Sequence, residues 1–385
     1  MKSSNTALTA FIFTLLFLSL PAQSESATPQ QQLAGLVREP LRLQVTLSNG
    51  QQAILDAFVT RPAGKTALPV ALITQGSSGN AKFDRDVMNP NYLSSTALAF
   101  AQHGYAAVAV MREGYGDSSG AAEYSGGSCA QPHHALAGKR DTMDVLAALA
   151  AVRKQPWASA DTAILAGMSA GGFAVLAAGA VNPPGVKAVI NFAGGRGAID
   201  GKRLCDEAGL LAAFSAFGNA AKVPSLWLYA ANDNDFSPAM AQAFYTAYTA
   251  HHAPARFSAL PAFGKNGHVV MDTAPSAFWW PPVGAFLKEN GLPYREQIAL
   301  PDSPLTAPVE LNNAGGKKAF AAYQGARRYE KAFAIGEDGS WGAAYWARTA
   351  DAAAAKALSN CNHHQAGQTG CRIYALGDEP VSSGG

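Results

Sequence analysis

Thr162-Ala-Ile-Leu-Ala-Gly-Met-Ser-Ala-Gly-Gly172 is a short apolar run that meets a Gly-x-Ser-x-Gly pattern, and Phe173-Ala-Val-Leu-Ala-Ala-Gly-Ala-Val181 continues it as a small-residue helix. A strand, a sharp turn and a helix in this order put a serine side chain at the tip of a strained turn. Such a turn needs small neighbours, and Gly167 and Gly171 let strand and helix approach closely. Ser169 would then stand at a helix N-terminus, where backbone N–H groups favour developing negative charge. The pattern by itself is weak, because Gly116-Asp-Ser-Ser-Gly120 matches it too. The residues after that copy, Ala121-Ala-Glu-Tyr-Ser-Gly-Gly127, are loop-like, so Ser118 reads as a loop residue after a strand.

A serine hydroxyl is a poor nucleophile at neutral pH and needs a base, a group to orient that base, and an oxyanion hole. With this kind of turn the order along the chain is serine, acid, histidine. The loop Ala230-Ala-Asn-Asp-Asn-Asp-Phe-Ser-Pro238 comes after the strand Ser225-Leu-Trp-Leu-Tyr229 and offers Asp233, with Asp235 as the alternative acid. An Asp in a loop is commonly a turn former, a role that suits Asp235. After the next strand, Ala255-Arg-Phe-Ser-Ala-Leu260, comes Phe263-Gly-Lys-Asn-Gly-His268. Gly267 would let the backbone turn His268 back toward the serine. His133, His134, His251 and His252 fall in the wrong segments, and His103 reads as a helix C-cap. The hole needs two backbone N–H groups. Ala170 directly succeeds the nucleophile, and Ser77 lies in the glycine-rich turn Gln75-Gly-Ser-Ser-Gly79 after the strand Pro69-Val-Ala-Leu-Ile-Thr74.

The 385 residues suffice for one large domain and a smaller one. A composition 48% hydrophobic and 15% charged reads as globular. A net charge of +2 without a basic run argues against nucleic acid as a partner. Lys2, the apolar run 7–20 and Pro21-Ala-Gln-Ser-Glu-Ser-Ala27 have the layout of a secretory signal, taken as residues 1–26. The run falls short of the about 20 apolar residues of a membrane anchor. A periplasmic or secreted chain without stable membrane insertion is therefore expected. In that setting Cys129, Cys205, Cys361 and Cys371 suggest two disulfides. Three pairings are formally open; the closeness of Cys361 and Cys371 favours a local bridge, which leaves Cys129 with Cys205.

Residues 30–39 read as a polar lead-in. Leu41-Arg-Leu-Gln-Val-Thr-Leu47 and Gln52-Ala-Ile-Leu-Asp-Ala-Phe-Val59 alternate about Ser48-Asn-Gly50, a β-hairpin signal. From residue 69 onward apolar strands alternate with helical stretches near 92–103, 135–154, 239–252 and 277–290, and 194–222 is an insertion of partly helical character. Continuous apolar strands between helices imply a mostly parallel sheet covered on both faces, an α/β fold whose ligands sit at the carboxyl ends of the strands. Residues 27–300 form this catalytic domain and the Pro- and Ser-rich 301–316 reads as a linker. Residues 317–385 read as a small β-β-α-β module stapled by Cys361–Cys371. Contact with the cell envelope is one reading of that module. Cys361-Asn-His-His364 with Cys371 could also supply zinc ligands, but a disulfide is the simpler reading in an oxidising compartment.

The elbow at Ser169, Gln75-Gly76, Arg112-Glu-Gly-Tyr-Gly-Asp-Ser118, Asp233 and Gly267-His268 together resemble the α/β-hydrolase superfamily, and within it the dienelactone-hydrolase-like serine esterases. The resemblance spans roughly residues 41–291. It implies a hydrolase of a small-molecule acyl substrate, an ester or a related compound, that uses no metal and no cofactor. Two departures matter. Relatives carry His-Gly where Gln75-Gly76 stands, and the dienelactone hydrolases themselves use a cysteine nucleophile, so lactone chemistry is not carried over. The tail from about residue 319 resembles small secreted modules with a Trp-Gly-Ala-Ala-Tyr motif and paired cysteines. Two other readings remain: a peptidase or amidase of the prolyl-oligopeptidase type, without room for its propeller, and a non-catalytic envelope-binding protein.

Overall fold

The period-two stretch about Asn49-Gly50 opens the main sheet. The computed structural model describes residues 32–77, 85–122, 129, 132–364 and 370–381. The expected secretory signal lies outside them. Strand β1 (Gln32–Leu33) leads into β2 (Leu36–Thr46), and after a turn β3 (Gln52–Pro62) returns antiparallel, in register from Leu36 opposite Pro62 to Thr46 opposite Gln52. Gly50 takes a φ of +85° in that turn, a conformation glycine adopts without strain. The reading of 30–39 as a polar lead-in is corrected here. Leu36 is a core residue, and Arg38 is fully buried because its guanidinium pairs with Glu330 at 2.8 Å.

The remaining strands alternate with helices: β4 (Leu68–Thr74), α1 (Ser94–Gln102), β5 (Ala106–Val110), α2 (His134–Val152), β6 (Ala158–Met168), α3 (Ala170–Ala180) and β7 (Val186–Phe192). The insertion forms a small hairpin, β8 (Ala198–Asp200) and β9 (Arg203–Leu204), followed by α4 (Glu207–Ala220). Then come β10 (Ser225–Ala230), α5 (Pro238–Thr249), β11 (Ala255–Leu260), the one-turn α6 (Val270–Thr273) and α7 (Ser276–Glu289).

Strand order in the main sheet is β1-β2-β3-β5-β4-β6-β7-β10-β11. β3 runs antiparallel to both of its neighbours, and β5 through β11 are parallel. From β4 the chain first goes to one side, to β5, and then to the other, to β6. In sheets of this kind ligands bind at such a reversal, outside the carboxyl ends of the strands, here β4 and β6. Residues of one strand alternate between two cores: Ala163 and Leu165 pack on one face of the sheet, Ile164 and Ala166 on the other.

The C-terminal region adds α8 (Ala314–Gly325), β12 (Ala332–Ile335), β13 (Trp341–Ala344), α9 (Ala350–His363), β14 (Arg372–Leu376) and β15 (Glu379–Pro380). Its antiparallel sheet has the order β13-β12-β14-β15. The linker reading of 301–316 misses the start of α8. Ala314-Gly-Gly316 has poor helix propensity, and the helix is started by Asn313, whose side chain accepts from the Gly316 N–H at 2.7 Å. The region is bound tightly to the main body. Asn89 and Asn91 donate to the Trp346 and Ala347 carbonyls, each at 3.0 Å, Arg348 pairs with Asp56 at 2.7 Å, and Tyr329 packs in the core with α1 and α7 residues. The disulfides are Cys129–Cys205 and Cys361–Cys371. Among the described residues no helix is long and apolar enough to cross a membrane.

Candidate active site

At the end of β6 the chain turns on Ser169, which has φ 55° and ψ −123° and starts α3. A non-glycine residue in this region is strained by about 1–3 kcal/mol and persists only where its surroundings hold it. They do so here with backbone bonds: the Ser169 N–H donates to the Phe192 carbonyl at 2.9 Å, and its own carbonyl accepts from Phe173 at 3.0 Å and Gly195 at 3.1 Å. A side chain at Gly167 would run into the Gly171 and Gly172 backbone. One at Gly171 would come to 2.6 Å from the Thr74 carbonyl and also meet that of Gln75. Every residue of α3 is buried, so the helix after the serine is fixed in place.

His268 and Asp233 come from the loops after β11 and β10, two adjacent strands. The imidazole Nδ1 lies 3.0 Å from both carboxylate oxygens of Asp233. It lies 3.7 Å from Asp235, whose side chain is 41% exposed where that of Asp233 is fully covered. Geometry therefore ranks Asp233 ahead of Asp235. Asp233 Oδ1 also accepts the N–H groups of Asp235 and Phe236, each at 2.8 Å, which fixes the carboxylate. Because a carboxylate only accepts, Nδ1 carries the proton and Nε2 is left as the basic nitrogen. Burial alone would push the His268 pKa down; the hydrogen bond and charge of Asp233, with Asp235 and Asp272 behind, outweigh it and hold the imidazole above its usual value.

His268 is the middle residue of a 3-10 turn, Gly267–Val269, held by Asn266, whose side chain accepts from the His268 N–H at 2.9 Å. A side chain at Gly267 would come within 2.6 Å of the Asn232 amide oxygen, so the turn can nest against the acid loop only with glycine there. Among the described residues no hydrogen bond joins Ser169 to His268. Catalytic hydrogen bonds commonly form only once substrate is bound.

The loop of Ser77 comes after β4 and touches the elbow: a Cβ built on Gly76 would sit 3.0 Å from that of Ser169. Ala170 begins α3 directly after Ser169, its N–H among those at the helix start that have no intrahelical partner. Asp233, Asp235 and His268 offer donor atoms within 4.8 Å of one another, a spacing that a cation could use. The oxygen Asp233 Oδ1 is already taken by two N–H groups and faces the imidazole, an arrangement suited to orienting His268. The other histidines are elsewhere. His134 bonds the Cys205 carbonyl, and His103 stacks on Trp280 at 3.6 Å.

Sequence reasoning quoted Arg112 in a motif but gave no role to the buried charges around it. Arg112 donates to the Gln75 carbonyl at 2.7 Å and to the Thr74 hydroxyl at 3.0 Å, so it holds the base of the Ser77 loop. Its other face pairs with Asp141 at 3.0 Å, and Asp141 also pairs with Arg196 at 3.5 Å, next to the Gly195 that binds the Ser169 carbonyl. Arg112 stands directly after an apolar strand and Asp141 inside a helix; that pairing across 29 residues left no periodic signal.

A family model described as X-Pro dipeptidyl-peptidase (S15 family) matches residues 51–218, from β3 through the elbow and short of the Asp233 and His268 loops. No curated protein matches the chain. Among solved structures the chain is similar to an acetyl xylan esterase from Paenibacillus sp. R4, at 17% identity and a TM-score of 0.49, over 69% of this chain and 87% of that one. It is similar to the esterase Pf2001 from Pyrococcus furiosus at 15% identity and a TM-score of 0.46, over 70% and 95%. It is also similar to a Klebsiella pneumoniae protein assigned as a dienelactone hydrolase, at 18% identity and a TM-score of 0.43, over 66% and 98%. With its eight-strand order from β2 to β11, its single antiparallel reversal at β3 and its strand–serine–helix elbow, the chain has the α/β-hydrolase fold.

Proposed function

We propose that the protein is an exported serine hydrolase that cleaves carboxylic esters through an acyl-enzyme. Ser169 attacks the acyl carbon, and His268 takes the hydroxyl proton and returns it to the leaving oxygen. Asp233 orients the imidazole, and the Ala170 and Ser77 N–H groups receive the oxyanion. Water then repeats the sequence on the acyl-enzyme, with His268 again as base, and releases the acid. The observation that carries this reading is the Nδ1 contact of His268 with Asp233 at 3.0 Å, on loops after two strands that lie beyond a serine elbow in the chain. Esters are preferred because an alkoxide leaves a tetrahedral intermediate more readily than an amine does. Two disulfides support an oxidising compartment.

A fluorophosphonate probe is expected to label the protein at Ser169, and labelling that survives Ser169→Ala would sink the assignment. The family match over residues 51–218 favours a second reading, a peptidase acting beside proline. p-Nitrophenyl esters of graded chain length, run beside X-Pro anilides, separate the two. Faster turnover of the anilides would overturn the ester reading and leave the triad standing.

A further inference from the structure

His268 stands on a weak scaffold. Its 3-10 turn runs straight into α6, four residues long, and a helix of one turn does not hold itself together in water. The last carbonyls of such a helix need donors from elsewhere. Thr96 donates to the Met271 carbonyl at 2.7 Å and Ser95 to that of Asp272 at 3.3 Å, both from α1. The last, Thr273, accepts from Arg328 at 2.7 Å, and Arg328 belongs to the C-terminal region.

Arg328 is itself held. Its guanidinium lies 4.8 Å from the Trp346 ring centre, the next residue donates its N–H to Ser94 at 2.9 Å, and Glu330 forms the buried pair with Arg38. Asp272, four residues on from His268 in α6, feels the charges of both His268 and Arg328. Its Oδ1 is shut off from solvent and has no hydrogen-bond partner among the described residues. Burial pushes the Asp272 carboxyl up to about 7, against the pull of the His268 and Arg328 charges. Among the described residues the charged groups that act on the imidazole are thus Asp233 and Asp235 from the loop after β10 and Asp272 from α6, with Arg328 acting on Asp272.

We propose that Arg328 and Asp272 are positioning residues for His268: the C-terminal region reaches into the catalytic body, closes the turn that carries the imidazole and sets the charge behind it. The inference rests on the triad of Ser169, His268 and Asp233 proposed for catalysis. On this view the tail completes the active site, and the enzyme works only with the tail docked.

The test measures the rate at which a fluorophosphonate labels Ser169 in the full-length protein, with peptide mass spectrometry to locate the label, across pH. If the wild type takes no label at Ser169, the triad reading fails; the positioning claim is judged only on rates at that residue. Arg328→Gln is expected to slow labelling about tenfold, and Arg328→Lys, which keeps the charge and a donor, to recover most of the loss. Asp272→Asn is expected to move the acid limb of the rate profile to lower pH, because the ionised share of that carboxyl, which favours the imidazolium, is gone. Wild-type rates in Arg328→Gln together with an unmoved limb in Asp272→Asn overturn the proposal. So does a slow Arg328→Gln that lysine fails to rescue when the asparagine limb is also unmoved, since Arg328 then serves folding alone. Should Arg328→Gln not fold, the Asp272→Asn profile decides by itself: a lowered limb upholds the proposal and an unmoved one overturns it.

Discussion

Gly167-Met-Ser-Ala-Gly171 and Gly116-Asp-Ser-Ser-Gly120 spell one pattern twice, and the backbone answers it in opposite ways. In the first copy the serine holds the positive φ, 55°, while neither glycine lies in the left-handed region. Those glycines serve close approach, where a Cβ would strike the backbone of a neighbouring segment. In the second copy the glycines hold the positive φ values, 56° and 79°. The Ser118 hydroxyl is spent on structure: it donates to the Met111 carbonyl at 2.9 Å and accepts from the Asp56 N–H at 2.9 Å. Glycine therefore recurs for two physical reasons, conformational freedom and missing volume, and the letters do not say which. Only the strand before and the helix after distinguish a strained serine from a satisfied one.

The largest effect expected from this difference is catalytic. Ser169→Ala should lower kcat by roughly 10⁴–10⁶-fold, while Ser118→Ala should leave it within about twofold, because its hydroxyl already has two partners. Ester hydrolysis assays of the two variants check this, and a loss that tracks Ser118 would reverse the assignment. The acid loop sharpens the same contrast between a working and a structural residue. Asp233→Asn should cost about 10⁴-fold in kcat by spoiling the tautomer of His268. Asp235→Asn, at 3.7 Å and partly exposed, should cost less than about tenfold. Equal losses would mean that the two carboxylates share the role.

His268 adds a pH dependence whose sign is set by its surroundings. The base must be neutral, so activity is lost as pH falls through the histidine pKa. With that pKa raised by Asp233 and its companions, the acid limb of kcat/KM should lie above the ordinary value of 6.5. A limb below it would show that burial, which acts in the opposite direction, has won.

Local signals made the elbow, the hairpin and the strand–helix alternation legible, because each is written in a period or a turn within about ten residues. The positions of Asp233 and His268 were legible through chain order, and their 3.0 Å contact was not, since no local pattern encodes a meeting of two loops. The C-terminal region shows the limit best. Proline and serine near 301–308 read as a linker and say nothing of the contacts beyond it, where Arg38 on β2 and Glu330 near β12 meet, both buried, across 292 residues. A charged residue in an alternating strand looks solvent-facing when its partner lies that far along the chain. The Asp141 pairings were hidden in the same way, inside a helix that otherwise reads as amphipathic.

The next effect separates the glycines. Gly171→Ala places a methyl against the Thr74 and Gln75 carbonyls, the backbone that leads to Ser77. That backbone cannot yield without moving the proposed oxyanion loop, so activity and about 3 kcal/mol or more of stability should be lost together. Urea unfolding and ester turnover on the same sample check it. A variant that kept full activity would mean that the approach of strand and helix does not shape the site.

Ser118 supplies the smallest effect and the cleanest contrast. Removing its hydroxyl leaves the Asp56 N–H and the Met111 carbonyl without that partner in a buried place, while the neighbouring bond from Met111 N–H to the Asp56 carbonyl, 2.8 Å, stays intact. An unsatisfied buried group costs about 1–3 kcal/mol, and because water can reach the adjoining loop, Ser118→Ala should fall at the lower end. Urea unfolding should show a lower midpoint with an unchanged slope, since the surface exposed on unfolding is the same. Fluorophosphonate labelling at Ser169 should keep its wild-type rate. A slowed rate would mean that the second copy of the pattern supports the first through β3 and β5, and the two serines would then no longer be independent.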